Sequence, residues 1–493
     1  MANNFKSDDS FLKKLAVGAA GTNATIENLI ALGYSPIELE RGSRGFKIWK
    51  KIKIKRVRVP DILCLRTGLR FESRGKTKIE ISMSHSLKDP KRTWDAGMHD
   101  DDYVSIVVLN QTDDAPTYPE QVSPVHYVSV RSLRDAFNSN QVTITKPKGV
   151  EEGSEIRVVW TSASANKDSI VQEVTEARVR LRPTDQSRVQ TIQLSRSKGS
   201  VNLTPLVSVN DVVQANQIVA SVADARTTLP PPTKVDENFF ASRLTSMSLS
   251  ERYAAAKALR YKGYSNQTKV ILLKRMNDSF EDIYVQLEAA AALAAHGVEA
   301  GWDFLEDKIK SNALLVPLET QLETVIVTSE IVHKRSEDLL ITVLMDRNRD
   351  EELRAGAAWA LGQFETSTSA LALIGTFNAN PLDIRIEAAR ALLKISGKQV
   401  PFLIDQLKTV DQASRDGIAW VLARSEKVKP SSLLASGDDV NLRAWVSYVI
   451  GLERDKFDQK DLDAICSKDP EVYFATSVLW QIFQSWINQI MEY

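Results

Sequence analysis

The sequence predicts a multidomain α+β chain: an N-terminal α/β sandwich around a mixed sheet, a small all-β module and a C-terminal α-solenoid. Three observations predict it. Ala-rich helical phrases recur through the last half, short β-like runs fill the stretch from about 142 to 222, and a helix followed by strand-like segments opens the chain. A length of 493 residues exceeds what one ordinary core organises. The expected divisions are a flexible segment 1–21, the sandwich 22–140, the β module 141–226, a Pro-rich linker 227–234 and the solenoid 235–493.

The solenoid rests on repetition. RYAAAKAL starts at Arg252, QLEAAAALAAHG at Gln286, QLETVIVTSEIVHK at Gln321, LRAGAAWALGQF at Leu353, IRIEAARALLKI at Ile384, SRDGIAWVLARS at Ser414 and NLRAWVSYVIG at Asn441. Small residues stand where paired helices must approach, and Leu, Ile or Trp fill the seam between neighbours. These phrases resemble HEAT repeats, especially the short Ala-rich kind, over roughly the last half of the chain. The resemblance names an architecture and no chemistry; from the architecture a scaffold for a protein partner or a long nucleic acid is expected. An aromatic helix, QIFQSWINQIME, follows the array and would cap it or meet a partner.

Before the array, TTLPPPTK carries three successive prolines and reads as an extended connector. The β module is read from QVTITK, SEIRVVWTSA, EARVRLRP, RVQTIQLS and NQIVASV, which are separated by turn residues. Its tail, LTPLVSVNDVVQANQIVASV, is similar to barrel-sandwich hybrid domains related to lipoyl carriers. No lysine stands at the hairpin tip, so an oligomerisation or docking role is expected there rather than carriage.

In the sandwich, NATIENLIALGY reads as a helix capped by Asn23 or Thr25. GFKIWKKIKI, RVRVPDILCL, LRFESRGKTKIEISM, DYVSIVVLN and HYVSV read as strands, and RSLRDAFNS as a second helix. From Leu69 to Ser84 the alternation is clean. Every even position, including Arg70, Glu72, Arg74 and Lys76, is polar, and LRTGL supplies a turn in which Gly68 can take positive φ. If Arg66 and Thr67 form the loop, Asp61 faces Glu72; if Thr67 and Gly68 form it, Asp61 faces Arg74 with Glu72 diagonal. Either register puts Asp61 on the charged face, whereas a three-residue loop would reverse the parity and place it on the other.

Two carboxylates on adjacent strands repel unless a cation joins them, and Mg²⁺ or Mn²⁺, which takes one or two carboxylates plus water and phosphate, suits the pair. Lys76 lies two pleats beyond Glu72 on that face, where an ammonium could orient water or meet a phosphate. Charges at alternate positions also arise on a merely solvated strand face. These residues resemble the PD-(D/E)xK nuclease superfamily over about a quarter of the chain: Pro60-Asp61 matches its PD, Glu72 its second acid, and Lys76 or Arg74 its lysine. Arg74 stands where the motif spacing puts lysine, and arginine does not act as a base. The resemblance further implies Glu27 as a third, helical metal ligand.

Between Arg41 and Arg58 the segment RGSRGFKIWKKIKIKRVR holds nine basic residues and no acid. Arg44, Lys47, Trp49, Lys50, Lys51, Lys53, Lys55, Arg56 and Arg58 are the candidate nucleic-acid contacts, with Phe46 and Trp49 available for stacking. Lysines guarding an edge strand would leave the same pattern. Formal net charge is zero, so any such footprint is local. Cys64 and Cys466 offer neither a disulfide framework nor a zinc site, and no apolar run nears the roughly 20 residues of a membrane helix. His99 with Asp100, Asp101 and Asp102 offers a weaker cation site, because successive acids diverge. The expectation is a cytoplasmic, unanchored, metal-dependent nuclease of DNA or RNA with a solenoid scaffold, suited to bacterial defence. The alternative is a non-catalytic scaffold for nucleic acid and protein.

Overall fold

The structure is a computed structural model that describes residues 8–41, 57–110, 119–146, 155–195, 202–311, 314–379, 381–425 and 459–468, with 449 and 470. The described residues form two compact units, divided between residues 292 and 293.

The first unit is built on a mixed sheet in the order β1 (Pro36–Glu38), β2 (Ile62–Cys64), β3 (Arg70–Lys76), β5 (Tyr103–Asn110), β7 (His126–Ser129) and β17 (Ala225–Arg226), with β6 (Glu120–Gln121) on β5. Only β3 and β5 in this sheet run parallel, and the chain between them makes β4 (Ile81–Ser86). The single strand expected over 69–84 therefore divides at residue 77. Its first half stays in the main sheet, and β4 leaves to pair with β9 (Glu155–Trp160), which in turn pairs with β8 (Val142–Thr145). Alternation persists through the break, so the sequence carries no mark of it.

The first helix, α1 (Asp8–Ala31), begins well before the Asn23 or Thr25 cap expected for it and includes part of the segment expected to be flexible. Thr22 and Thr25 instead donate to the carbonyls of Gly18 and Gly21 within the helix. Its glycines serve packing. A Cβ on Gly21 would lie 2.7 Å from the Gly75 backbone, and one on Gly75 would lie 2.2 Å from the Val17 carbonyl oxygen. Helix and strand thus touch backbone to backbone. Gly75→Ala is expected to cost about 1–3 kcal/mol by overpacking; thermal unfolding should show a fall of about 2 °C or more. An unchanged midpoint would contradict that contact.

On the other face, Val104 and Ile106 of β5 pack with Trp94, Trp160 and Leu133, the last from α2 (Val130–Asn138). Beyond this layer β10 (Ser162–Ser164), β16 (Ile218–Ser221) and β14 (Thr204–Pro205) form one small sheet. A second contains β13 (Gln190–Gln193), β12 (Arg178–Pro183), β11 (Ser169–Val174) and β15 (Val212–Val213). Residues of both share a core that includes Val171, Leu181, Val213 and Val219. In the turns that precede β15 and β16, Asn210 and Asn216 take positive φ, a conformation asparagine tolerates.

After residues 227–236 the described chain is helical: α3 (Glu237–Arg243), α4 (Leu249–Tyr261), α5 (Asn266–Asn277) and α6 (Ile283–Ala295), in which the division falls. In the second unit follow α7 (Glu299–Lys310), α8 (Leu318–Ser329), α9 (Lys334–Met345), α10 (Glu351–Leu361), α11 (Ser367–Ile374), α12 (Leu382–Gln406) and α13 (Gln412–Arg424). The quoted phrases fall on α4, α6, α8, α10, α12 and α13, with partner helices between most of them. Ala355, Ala357, Ala358 and Ala360 of α10 are all buried, as are Leu340 and Leu392 on its neighbours. One departure is α12, a single 25-residue helix containing Pro401 where the pattern expects a pair. The phrase at Asn441 and the terminal aromatic helix lie outside the described residues, apart from Val449. Among the described residues no helix is long and apolar enough to cross a membrane.

Candidate active site and basic cleft

The β2–β3 hairpin sets the site. Ile62 faces Phe71 and Leu63 faces Arg70, a register that continues to place Asp61 opposite Glu72. The loop spans four residues, 65–68, rather than two: Cys64 and Leu69 form the last pair, and Gly68 closes the turn at φ +75°. The pairing that a two-residue loop would make is kept.

The two faces of β3 diverge sharply. Phe71 packs among Tyr34, Tyr103 and Tyr127, while Ser73 and Gly75 meet α1. Arg70, Glu72, Arg74 and Lys76 project from the opposite face. Asp61 is 8% exposed and Glu72 3%, so these acids do not lie on a solvated strand face. Buried charge must be compensated. Glu72 Oε1 meets an Arg74 guanidinium nitrogen at 2.5 Å and one of Arg58 at 3.6 Å. Asp61 Oδ2 accepts from the Ser73 N–H at 2.7 Å, extending the hairpin ladder by a side chain.

Asp61 remains undercompensated. Burial, then the charges of Glu72 and Glu40, push its carboxyl well above the usual carboxylate range, against the opposing effects of Arg74 and the Ser73 bond. Glu40, just after β1, holds its place through its N–H bond to the Asp61 carbonyl. Sequence reasoning missed it because it closes the acidic ELE run ahead of the basic segment and shares no periodicity with β3. Glu27 is exposed on α1, and the acids acting on Asp61 are Glu72 and Glu40.

Lys76 ends the row. Its Nζ donates to the Ser82 carbonyl at 2.8 Å and to Ser82 Oγ at 3.2 Å. Burial, then the neighbouring Arg74 and Arg157, lower its pKa to about 8. Arg74 and Lys76 open into a cleft of about 970 Å³ between the end of β3, β4, the short 3-10 turn Pro90–Arg92 and β9. Among the described residues lining it, Arg58, Arg74, Lys76, Lys91, Arg92 and Arg157 are cationic and Glu155 alone is acidic. Arg157 pairs with Glu80, and Arg92 with Glu155. Arg157 was illegible as a site residue: it reaches Lys76 because β9 pairs with β4, placing Ser84 opposite Arg157 across a long stretch of chain.

Of the proposed nucleic-acid contacts only Arg58 is described. Arg44, Lys47, Trp49, Lys50, Lys51, Lys53, Lys55 and Arg56 lie outside the described residues. The acids at 100–102 diverge, each to its own arginine: Asp100 to Arg134, Asp101 to Arg131, Asp102 to Arg70.

Among the described residues no group of three or more His, Cys, Asp or Glu is disposed to hold a metal ion. An ion of the Mg²⁺ class needs only one or two protein carboxylates. The hard oxygen donors of Asp61 and Glu72, and the negative charges of Glu72 and Glu40 that add to burial in raising Asp61, fit that requirement.

No family model and no curated protein matches the chain. Among solved structures it is similar to the complex of CpcE and CpcF of phycocyanin lyase from Nostoc sp. PCC7120, at 14% identity over 51% of this chain and 97% of that chain, with a TM-score of 0.25. It is also similar to a designed armadillo repeat protein in complex with the peptide (KR)4, at 14% identity over 50% of this chain and 100% of that chain, with a TM-score of 0.19.

Proposed function

We propose that the first unit hydrolyses phosphodiester bonds of nucleic acid with the help of a divalent ion, and that the helical array serves as a scaffold for a partner or for the nucleic acid. One observation carries the reading: two facing, buried carboxylates lie on the same strand face as Arg74 and Lys76, which line a cation-rich cleft. Asp61 and Glu72 would hold Mg²⁺ or Mn²⁺, which when bound supplies Lewis-acid polarisation of the phosphodiester. Arg74, released from Glu72, would meet the phosphate. Lys76 is the group able to move a proton: with a pKa of about 8, roughly a quarter of its Nζ is neutral at pH 7.5, whereas Arg74 stays charged.

A second reading, binding without catalysis, is favoured by the Glu72 ion pairs with Arg74 and Arg58, which neutralise that acid as the structure stands. A cleavage assay on single- and double-stranded DNA and RNA with Mg²⁺, Mn²⁺ or EDTA separates the two. Cleavage that requires metal supports the nuclease; binding without cleavage in every condition sinks it. Turnover is further expected to rise with pH to an inflection near 8, since the base form of Lys76 accumulates there. In Lys76→Arg the inflection should vanish and turnover fall about a hundredfold. An unaltered profile would remove Lys76 from proton transfer.

A further inference from the structure

The cleft's shape bears on which form of nucleic acid it accepts. Its cations stand on more than one wall: Arg74 and Lys76 end β3, Arg157 lies on β9, and Lys91 and Arg92 come from the 3-10 turn. Those on the 3-10 turn are exposed at the rim, whereas the Lys76 amine is partly buried and bonded to Ser82. The cleft is open to solvent, and its volume of about 970 Å³ lies at the upper end of the roughly 300–1,000 Å³ of small-ligand sites. Duplex recognition instead spreads over roughly 1,000–2,500 Å² of protein surface. A duplex carries its phosphates on the outside of a wide rod, so it meets the exposed Lys91 and Arg92 before the partly buried Lys76 amine. A single strand can reach that amine.

The cleft also offers a flat ring and an exposed hydroxyl. His85 lines it with its ring centroid 5.6 Å from that of Phe137, and its Nδ1 accepts from the Trp94 N–H at 3.4 Å, which leaves Nε2 as the ring's donor. Of the β4 serines in the lining Ser84 is exposed, whereas Ser82 and Ser86 are buried and their Oγ atoms accept from Lys76 and Arg157 and from the Lys88 and Asp89 N–H groups. Cationic side chains, an aromatic ring and an exposed hydroxyl in one cleft are what a single strand uses for its backbone and bases.

We infer that the cleft takes a few nucleotides of single-stranded nucleic acid and excludes duplex. This rests on the proposed action on nucleic acid and adds its strandedness. The test is fluorescence anisotropy of the full chain in EDTA, so that binding is read without cleavage. The probes are labelled oligothymidylate and oligouridylate of about twelve nucleotides, against a labelled duplex of the same length. Single strands should bind at least tenfold tighter than duplex. Lys91→Gln and Arg157→Gln, each checked for native circular dichroism, should each weaken single-strand binding severalfold and reduce the log–log salt slope by about 0.7. Duplex binding equal to or tighter than single-strand binding, or single-strand binding unmoved by both substitutions, overturns the inference and leaves action on nucleic acid standing. Failure to bind any probe overturns both.

Discussion

Asp61→Asn is expected to yield a protein that is inactive yet more stable than the wild type at neutral pH. The carboxyl of Asp61 is raised by burial and by Glu72 and Glu40, so its ionised form is disfavoured in the folded state. For an acid whose folded pKa lies above its unfolded value, near 3.9, the folded state binds more protons in the window between the two. Stability therefore falls as pH rises through that window, and the full penalty stands above the folded pKa. Asparagine removes the penalty and keeps an oxygen for the Ser73 N–H. Each kcal/mol regained should raise the melting temperature by about 2–4 °C, and the gain should disappear below about pH 4. Glu72→Gln behaves oppositely, because it strips Arg74 and Arg58 of their partner, and it should be neutral or destabilising. Both substitutions should lower metal-dependent cleavage by at least about a hundredfold. Mg²⁺ should raise the melting temperature of the wild type and leave that of Asp61→Asn unmoved. Calorimetry between pH 4 and 8 checks this; a destabilised Asp61→Asn, or one that still cleaves, would show that Asp61 is structural.

The largest loss of stability is expected at Arg70. Its Nε and one Nη donate to the two oxygens of Asp102 at 3.1 and 2.6 Å, and its other Nη donates to Ser250 Oγ at 2.9 Å. Both partners of the ion pair are buried, and Asp102 also accepts from the His99 N–H. Arg70→Met leaves a carboxylate uncompensated in the interior and should cost about 3–5 kcal/mol, whereas Arg70→Met with Asp102→Leu should recover much of that. Urea unfolding of the full chain measures both. A loss below about 1 kcal/mol for Arg70→Met would mean that solvent reaches Asp102.

Local periodicity made part of this legible. The alternation from Leu69 to Ser84 put Glu72, Arg74 and Lys76 on one face, and Gly68 marked the turn that brings Asp61 opposite Glu72. Ala-rich phrases located the helices of the last half, because seams between packed helices demand small residues at helical spacing. What escaped depends on partners distant in sequence. The first helix was expected to start at Asn23 or Thr25, yet α1 runs back to Asp8, and its Gly21 sits against Gly75, a residue distant in sequence. The strand break after Lys76 is decided by β9, and with it the arrival of Arg157 beside Lys76. Asp102, in the sequence only a member of a weak cation site, is paired by the fold with Arg70. By itself the sequence determined which side chains share a strand face, since pleat and helix geometry are local. Tertiary structure alone decided that the face is buried, that its acids meet arginines, and that its far end opens into a cleft. Burial and pairing of charge belong to segments brought together from afar, and no local pattern encodes them.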